Sequence, residues 1–228
     1  MSSKTFVLVH GAWGASFNWF PIIPSLAAAE HRHYMISHTG HGERRHLSGP
    51  HITLSTHIAD VVNLIEMFDL HDIYLVGHSY GGMVITGVWD RVRERVKHVV
   101  YVDAFVPENG KCLHDYAPPD RVKWMLEQAA QNNGMIPFLG VAAGREPTEW
   151  HMPQSLATFR EPLLLTRGEL PSDVPKTYCL ATENKPSAFH HFAGLVKDDP
   201  TWDYHEFETG HNIMAEATDA FTELLIGL

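Results

Sequence analysis

Short apolar runs alternate with amphipathic segments along most of this 228-residue sequence. This alternation constrains the fold more than any other feature of the chain. Strands are predicted at Phe6–Val9, Tyr34–Ser37, Ile73–Val76, Val96–Val102, Lys176–Ala181 and Tyr204–Phe207. Helices are predicted between and after them at Trp19–Ala29, Leu54–Phe68, Tyr80–Asp90 and Ala215–Leu225. Strands that alternate with helices indicate an α/β fold, in which a parallel sheet carries helices on both faces.

The stretch from about residue 107 to residue 175 interrupts this alternation. It contains many prolines and scattered large apolar residues, with a helix predicted at Val122–Asn132. A loose loop region is the alternative, but a solvated loop would not keep so many large apolar groups. We therefore expect one domain over residues 1–228, with a helical cap insertion at about 107–175.

Composition and charge exclude several classes of function. The net charge is −10 and the chain has no Lys/Arg cluster, so nucleic acid is not expected as a partner. The N-terminal run MSSKTFVLVHG is too short and polar for a signal peptide. The longest stretch without charged residues, between Asp72 and Asp90, contains four glycines, so membrane insertion is not expected either. The cytoplasm is the expected location.

The histidines and cysteines do not predict a metal site. Most of the 17 histidines are isolated in sequence, and neither an H-E-x-x-H nor a C-x-x-C spacing occurs. The two cysteines, Cys112 and Cys179, are far apart in sequence. Two free thiols are the simpler interpretation, and a disulfide between them stays open.

The run IYLVGHSYGGMV, residues 73–84, places a serine between a predicted strand and a predicted helix. Its centre, GHSYG, fits the pattern G-x-S-x-G, which is informative in this strand-to-helix context. Such a sharp turn strains the serine backbone, and flanking glycines remove side chains that would clash there. We predict Ser79 as a nucleophile raised above the sheet edge, where the helix N-terminus favours negative charge. The alternative is an ordinary turn with a spare serine.

A serine hydroxyl is a poor nucleophile without a base. His211 follows the last predicted strand and a Thr-Gly turn, and it is the predicted base. A carboxylate must orient this imidazole. Asp103 directly follows the fourth strand and Glu183 lies beyond the fifth, and both strand ends border the same edge of a parallel sheet. We favour Asp103, with Glu183 as the alternative.

The oxyanion that forms during acyl transfer needs two backbone N–H donors. Tyr80, next after the nucleophile, supplies one, and Ala12 in the loop VHGAWG supplies the other because Gly11 lets this loop approach closely. His10 and Trp13 are candidates for the pocket floor, with simple packing as the alternative. Four apolar residues of the cap are further candidates for contact with substrate or for packing within the cap: Trp124, Met125, Trp150 and Met152.

The order Ser79, Asp103, His211, preceded by HGAW, resembles the α/β-hydrolase superfamily. The segments FVLVHGAW, TGHGER, LVGHSYGGMVITGV, VVYVDAFVPENG and ETGHN are similar to a bacterial esterase branch related to plant methylesterases and hydroxynitrile lyases. The likeness covers essentially the whole chain. It implies a short version of the fold, with about six parallel strands and no leading antiparallel pair.

The acid position departs from the plant pattern. Plant relatives carry T-D-x-D after the strand equivalent to Lys176–Ala181, whereas this chain has TENK at residues 182–185. The second acidic position is therefore Lys185. This departure supports an acid at Asp103, as in some dehalogenase-like relatives, and it keeps Glu183 as the alternative.

Two other departures limit the chemistry that the resemblance implies. Hydroxynitrile lyases use a threonine and a lysine where this chain has Gly11 and Asn212, so lyase chemistry is not expected. Dehalogenases and epoxide hydrolases need an aspartate where this chain has Ser79.

These features predict a serine carboxylesterase acting on small to medium apolar esters, without a cofactor or metal. The expected partner is a small-molecule ester, and the sequence leaves the oligomeric state open. A lactone, carbamate or other acyl hydrolase would use the same groups. A ligand receptor of the same fold with little turnover is the alternative from another class.

Overall fold

A computed structural model describes residues 3–140, 148, 150–168, 173–185 and 187–228. In this part of the chain the strands are β1 (Thr5–Val9), β2 (Arg32–Ile36), β3 (Ile73–His78), β4 (Val96–Val102), β5 (Met135–Ile136), β6 (Gln154–Ser155), β7 (Lys176–Ala181) and β8 (Asp203–Phe207). The α-helices are α1 (Ile23–Ala28), α2 (Leu54–Met67), α3 (Gly81–Val92), α4 (Pro119–Gln131), α5 (Leu156–Arg160), α6 (Phe189–Val196), α7 (Ile213–Glu216) and α8 (Thr218–Gly227). Short 3₁₀ helices are found at Ser16–Ile22, Gly42–Leu47, Arg93–Arg95 and Leu113–Asp115.

Six strands form one parallel sheet in the order β2-β1-β3-β4-β7-β8. Val9 pairs with Gly77, and His78 pairs with Val102, so neighbouring strands end level with one another. The predicted parallel sheet of about six strands is confirmed. Its carboxyl edge, where β1, β3, β4, β7 and β8 all end, is where loops can converge.

Alternate strand residues face two separate hydrophobic cores, because successive side chains of a strand point to opposite faces. Val7, Val9 and Leu75 pack in the core under α2, α3 and α6. Phe6 and Leu8 pack on the other face, under α1, α7 and α8. Both faces of the sheet are therefore covered, which explains why its strands read as continuous apolar runs.

The helix predictions need three corrections. The segment predicted as one helix at Trp19–Ala29 is a 3₁₀ helix followed by α1, because Pro21 cannot donate a backbone hydrogen bond within a longer helix. The closing helix is split into α7 and α8 at Ala217, whose backbone leaves the helical region. Helix α6 was not predicted, since two adjacent histidines and a glycine obscure its apolar pattern.

The segment between β4 and β7 contains ordered structure that interrupts the alternation. Helix α4 begins at Pro119, three residues before the predicted start, as expected for a proline in the first helical turn. Strands β5 and β6 form a short antiparallel pair, and α5 follows directly. Residues 141–147, 149 and 169–172 of the predicted insertion lie outside the described residues.

Within the described ranges, no helix is both long and apolar enough to cross a bilayer. The described histidine, cysteine and acidic side chains form no group of three or more that could hold a metal ion. Cys112 and Cys179 are free thiols, and Cys179 is buried in β7.

Candidate active site

Ser79 lies on a tight turn between β3 and α3. Its φ is +56°, in the left-handed region that is strained for a residue with a Cβ atom. A Cβ added at Gly77 would lie 2.8 Å from the Gly81 carbonyl oxygen, and one added at Gly81 would lie 2.7 Å from the Val9 carbonyl oxygen. The two flanking glycines are therefore required by the turn that raises Ser79 above the sheet.

The loop after β4 brings Asp103 beside this turn. The Ser79 N–H donates to the Val102 carbonyl (3.2 Å), and the Ser79 carbonyl accepts from the Phe105 N–H (3.2 Å). Asp103, between these two contacts, also has a positive φ, of +41°. A Cβ at Gly82 would collide with the Phe105 carbonyl, so glycine there lets the two loops pack together.

Asp103 is fully buried, and its carboxylate accepts three hydrogen bonds. His211 Nδ1 lies 2.6 Å from Oδ2, and Asn184 Nδ2 donates to the same oxygen at 2.7 Å. The Ala181 N–H donates to Oδ1 at 3.2 Å. Because a buried carboxylate must be matched by donors, this arrangement fixes the Asp103 side chain in one orientation.

Glu183 occupies a different position. Its backbone N–H donates to the Thr209 carbonyl (3.0 Å), and its side chain is exposed and forms no hydrogen bond or ion pair with any described residue. Of the two carboxylates considered from the sequence, the structure brings Asp103, and not Glu183, to His211.

The His211 ring is held between two other rings. It stacks on Phe189, with centroids 5.0 Å apart and planes 7° apart, and its other neighbour is the His78 ring at 4.4 Å. His78 Nε2–H donates to the His211 carbonyl (2.9 Å), which ties this loop to the residue before Ser79. Since His211 Nδ1–H donates to Asp103, Nε2 keeps its lone pair and can accept a proton.

Ser79 Oγ forms no hydrogen bond with any described residue, so the serine–histidine bond is not formed in this structure. Such bonds are often long in the absence of substrate and tighten in the reacting complex. The hydrogen bonds described above place Ser79, Asp103 and His211 in one cluster of loops at the carboxyl edge of the sheet.

The predicted oxyanion donors border the same cluster. A Cβ at Gly11 would lie 2.9 Å from Ser79 Cβ, so glycine is needed for the loop after β1 to pass this close to the serine. Neither the Ala12 N–H nor the Tyr80 N–H donates to another described residue. Both are available to a substrate oxygen.

The candidate pocket residues have different surroundings. Met125 is buried in the core under α3, and Trp124 packs against that core. Trp150 is 57% exposed and lies beside Phe17. Met152 donates its N–H to the Trp13 carbonyl (3.1 Å).

His10 is completely buried, and it belongs to a cluster of four histidines behind Tyr80: His10, His38, His41 and His57. The rings of His10 and His38 are 4.3 Å apart, and those of His38 and His57 stack at 4.5 Å. Burial lowers the pKa of His10 to about 3 and the pKa values of His38 and His57 well below their ordinary value. We refer to these four residues as the histidine cluster, and its imidazoles are neutral at pH 7.

Three residues of the site were not predicted from the sequence: Asn184, Phe189 and Gln154. The sequence indicates Asn184 only as a member of the segment that replaces T-D-x-D, whereas in the structure its amide donates to Asp103. Phe189 lies on the helix that was not predicted. Gln154 bonds across about 140 residues of sequence to Trp13, a contact that no local pattern reveals.

Comparisons with known proteins agree with this fold. The profile of the family described as "Alpha/beta hydrolase family" matches residues 6–224. The chain is 39% identical to a carbendazim hydrolyzing esterase from Nocardioides sp. (strain SG-4G), over 98% of each chain. It is 26% identical to esterase PIR7B from Oryza sativa subsp. japonica, over 99% of this chain and 95% of the rice protein.

The fold also agrees with a solved structure. An extracellular alpha/beta-hydrolase from a Paenibacillus species superposes with a TM-score of 0.84 at 24% identity, over 98% of each chain. The family match and the Nocardioides relative both extend over nearly the whole sequence. The chain therefore belongs to the alpha/beta hydrolase family.

Proposed function

We propose that this protein is a serine esterase that hydrolyses small to medium apolar carboxylic esters through an acyl-enzyme on Ser79. The observation that carries the proposal is the 2.6 Å contact between His211 Nδ1 and Asp103 Oδ2, beside the strained Ser79. The Nocardioides and rice relatives, both named as esterases, support the reaction class. We also assign the protein to the cytoplasm, the location expected from its sequence.

In the first half-reaction, Ser79 Oγ attacks the ester carbonyl carbon while His211 Nε2 accepts the hydroxyl proton. Asp103 holds the Nδ1–H and stabilises the imidazolium. The N–H groups of Ala12 and Tyr80 bind the oxyanion, each contributing roughly 3 kcal/mol to transition-state binding. His211 then protonates the leaving alkoxide, and the alcohol departs from acyl-Ser79.

In the second half-reaction, His211 removes a proton from water, and the hydroxide attacks the acyl carbon. The tetrahedral intermediate uses the same oxyanion donors. Its collapse returns the proton to Ser79 Oγ and releases the carboxylic acid. Each step uses groups of this chain alone, with no metal or cofactor.

We infer that the insertion between β4 and β7 is a cap within a single hydrolase domain. Three of its residues, Ile136, Met152 and Gln154, hydrogen-bond to Trp13 in the oxyanion loop. The stacked ring of Phe189 adds an apolar wall beside His211. An apolar acyl or alcohol group fits such surroundings, and we assign the contact to four of the predicted pocket residues: Trp13, Trp124, Trp150 and Met152. For His10, in the histidine cluster, and Met125, in the core, burial favours packing, the alternative considered from the sequence.

Carbamate hydrolysis is a second candidate, favoured by the Nocardioides relative that is named for carbendazim. Carbendazim is a methyl carbamate of a benzimidazole, and its carbonyl can accept a serine nucleophile by the same steps. Ester and carbamate differ only in the atom that flanks the carbonyl, so the catalytic groups would serve both.

A substrate panel tests the proposal: p-nitrophenyl acetate and butyrate, a set of apolar methyl esters, a lactone and carbendazim. We expect hydrolysis of the esters by the native protein, with Ser79→Ala reducing kcat by at least about 10⁴-fold and leaving the unfolding transition nearly unchanged. If the native protein hydrolyses nothing in the panel but is stabilised by a small apolar ligand, it is a receptor and the proposal is wrong.

The assignment of the acid has its own test. Asp103→Asn leaves the shape of the side chain but removes its charge, and we expect a loss in kcat of about 10³- to 10⁴-fold. Glu183→Gln is the matched control, with activity near that of the native protein. A loss confined to Glu183→Gln would contradict the assignment of Asp103.

A further inference from the structure

Gln154 in β6 connects the insertion to the oxyanion loop through a fully buried amide. Its Oε1 accepts from the Trp13 N–H at 3.3 Å, and its Nε2 donates to Thr158 Oγ1 at 2.8 Å. Thr158 is fully buried, and its hydroxyl donates a hydrogen bond to the Ser155 carbonyl (2.7 Å). Because both ends of the amide are engaged, its orientation is fixed, with the carbonyl oxygen toward Trp13.

Trp13 is the residue that this amide restrains, and its backbone is strained. Its φ is +60°, in the left-handed region that a residue with a large side chain rarely adopts. Such strain persists only where the surroundings over-determine it. Here the Trp13 N–H bonds to Gln154, its carbonyl accepts from the Met152 N–H (3.1 Å), and its indole N–H donates to the Ile136 carbonyl (3.1 Å).

The strained residue directly follows Ala12, one of the two proposed oxyanion donors. A peptide group is planar, so the hydrogen bond of the Trp13 N–H to Gln154 fixes the plane of the Ala12–Trp13 peptide group. The Ala12 N–H lies in the preceding peptide group, and only the two backbone torsions of Ala12 separate it from this fixed plane. The same amide is also close to the residue that supplies the other proposed donor. Its partner Thr158 lies beside the side-chain hydroxyl of Tyr80. One buried amide is thus connected to both residues that we propose as oxyanion donors.

We propose that Gln154 is a positioning residue of the oxyanion hole, which holds the Trp13 backbone in its strained conformation and so aims the Ala12 N–H at the reacting carbonyl oxygen. This inference rests on the proposed esterase function. It assigns to the insertion a task in transition-state stabilisation, besides enclosing the substrate. Oxyanion donors stabilise charge that is absent from the ground state, so their misplacement should lower kcat more than it raises KM.

The test replaces Gln154 with methionine, which keeps the length of the side chain and removes both hydrogen bonds. With p-nitrophenyl butyrate we expect kcat to fall about 10- to 30-fold and KM to stay within about twofold. Ser155→Ala is the matched control. Ser155 is the neighbouring buried residue of the same strand, and its hydroxyl bonds to the Pro50 carbonyl (3.1 Å) instead of the oxyanion loop. We expect this control to retain native kcat.

A second readout separates positioning from general destabilisation. Phenylboronic acid adds to Ser79 Oγ through boron, the hydroxyl proton passes to His211, and one boronate oxygen takes the place of the oxyanion. Its inhibition constant should rise about tenfold in Gln154→Met and stay unchanged in Ser155→Ala. Native kcat and native boronate affinity in Gln154→Met, or equal losses in Ser155→Ala, would overturn the inference.

A third variant covers the case in which Gln154→Met does not fold. Thr158→Val removes the acceptor that orients the amide, and we expect a loss in kcat of about threefold with KM unchanged. Native activity in Thr158→Val would then overturn the inference. A failure of the proposed function is distinct, because in that case native protein and Ser79→Ala would be equally inactive in the ester assay.

Discussion

His211 and His57 are both histidines, but they differ in exposure and in the hydrogen bonds that their ring nitrogens form. His211 keeps 33% of its side chain exposed and has a carboxylate at Nδ1, while its Nε2 forms no hydrogen bond with a described residue. His57 is fully buried, with Nδ1 accepting from the Tyr80 hydroxyl (3.0 Å) and Nε2–H donating to the Thr39 carbonyl (3.2 Å). Both ring nitrogens of His57 are therefore committed, and burial holds it neutral.

The difference between them lies in their surroundings and not in the imidazole. In the proposed mechanism the Asp103 carboxylate, 2.6 Å from Nδ1, stabilises the imidazolium that His211 becomes when it takes the serine proton. The histidine cluster has other imidazoles as neighbours, which disfavour a positive charge further. We therefore expect catalysis to depend on His211 and stability to depend on the histidine cluster.

Identical substitutions at the two positions give the largest expected effect. His211→Phe should lower kcat by at least about 10⁴-fold, because the proposed base is removed, and lower the free energy of unfolding by only about 1–2 kcal/mol, because Asp103 keeps two of its three donors. His57→Phe keeps the ring volume but leaves the Tyr80 hydroxyl and the Thr39 carbonyl without their partner. It should destabilise the protein by about 2–4 kcal/mol, with kcat within about threefold of native. Urea unfolding and ester hydrolysis measure the two quantities.

The comparison fails if the two variants exchange their effects. A large loss of kcat in folded His57→Phe, with an active His211→Phe, would place the base in the histidine cluster. An unaltered unfolding midpoint in His57→Phe would show that the two buried hydrogen bonds contribute little. Either result would contradict the roles that we infer from the surroundings of the two residues, catalysis for His211 and stability for His57.

The contrast between the two histidines also shows which features of the fold and site could be predicted from the sequence. The alternation of strands and helices was enough to predict the parallel sheet, and the G-x-S-x-G run was enough to predict a turn at Ser79, because both signals are local. His211 was singled out by its place after the last strand. Nothing in the sequence distinguishes a buried His57 from a solvated one, since its burial depends on α2 packing against α3.

The acid and the cap contacts needed information that a single sequence does not contain. Asp103 and Glu183 both follow strands, and strand register alone leaves either within reach of the base. The choice is made by the turn at Asp103 and by Asn184, which donates to its carboxylate. Contacts such as Trp13–Gln154 form between segments far apart in the chain, and only the folded insertion brings them together.

The histidine cluster should also make the stability of the protein depend on pH. The folded-state pKa of His10 is about 3, against about 6.5 in the unfolded chain, so the unfolded state binds more protons below pH 6.5. The stabilising contribution of a buried neutral imidazole is thus complete above pH 6.5 and is lost as the pH falls below this value. A residue whose folded-state pKa lies far below 5.5 loses about 1.4 kcal/mol between pH 8 and pH 5.5, so His10, His38 and His57 together should remove about 4 kcal/mol of stability.

Urea unfolding at pH 8, 6.5 and 5.5 measures this slope. His57→Phe sharpens the test, because removing this titrating group should reduce the loss of stability between pH 8 and pH 5.5 by about 1.4 kcal/mol even though the variant is less stable at pH 8. A free energy of unfolding that is constant from pH 8 to pH 5.5 would mean that the histidine cluster accepts protons in the folded state.

The smallest expected effect concerns Asn184, whose side-chain amide donates to the Asp103 carboxylate beside His211. Asn184→Ala leaves Asp103 with two donors, so the carboxylate can turn away from His211 Nδ1. We expect kcat to fall about tenfold and stability to fall by about 1 kcal/mol. Thr182→Val is the control. Among the described residues, the Thr182 hydroxyl donates only to the Phe207 carbonyl at the end of the neighbouring strand β8, so its loss should leave kcat unchanged.

A double variant decides whether Asn184 acts through Asp103. Residues that form one hydrogen-bonded network have non-additive effects, so adding Asn184→Ala to Asp103→Asn should lower kcat by much less than tenfold. A full tenfold loss in the Asp103→Asn background would show that Asn184 acts on His211 or on substrate directly. In that case the contrast between the two histidines would depend on the amide as well as on the carboxylate, because 3.2 Å separates Asn184 Nδ2 from His211 Nδ1.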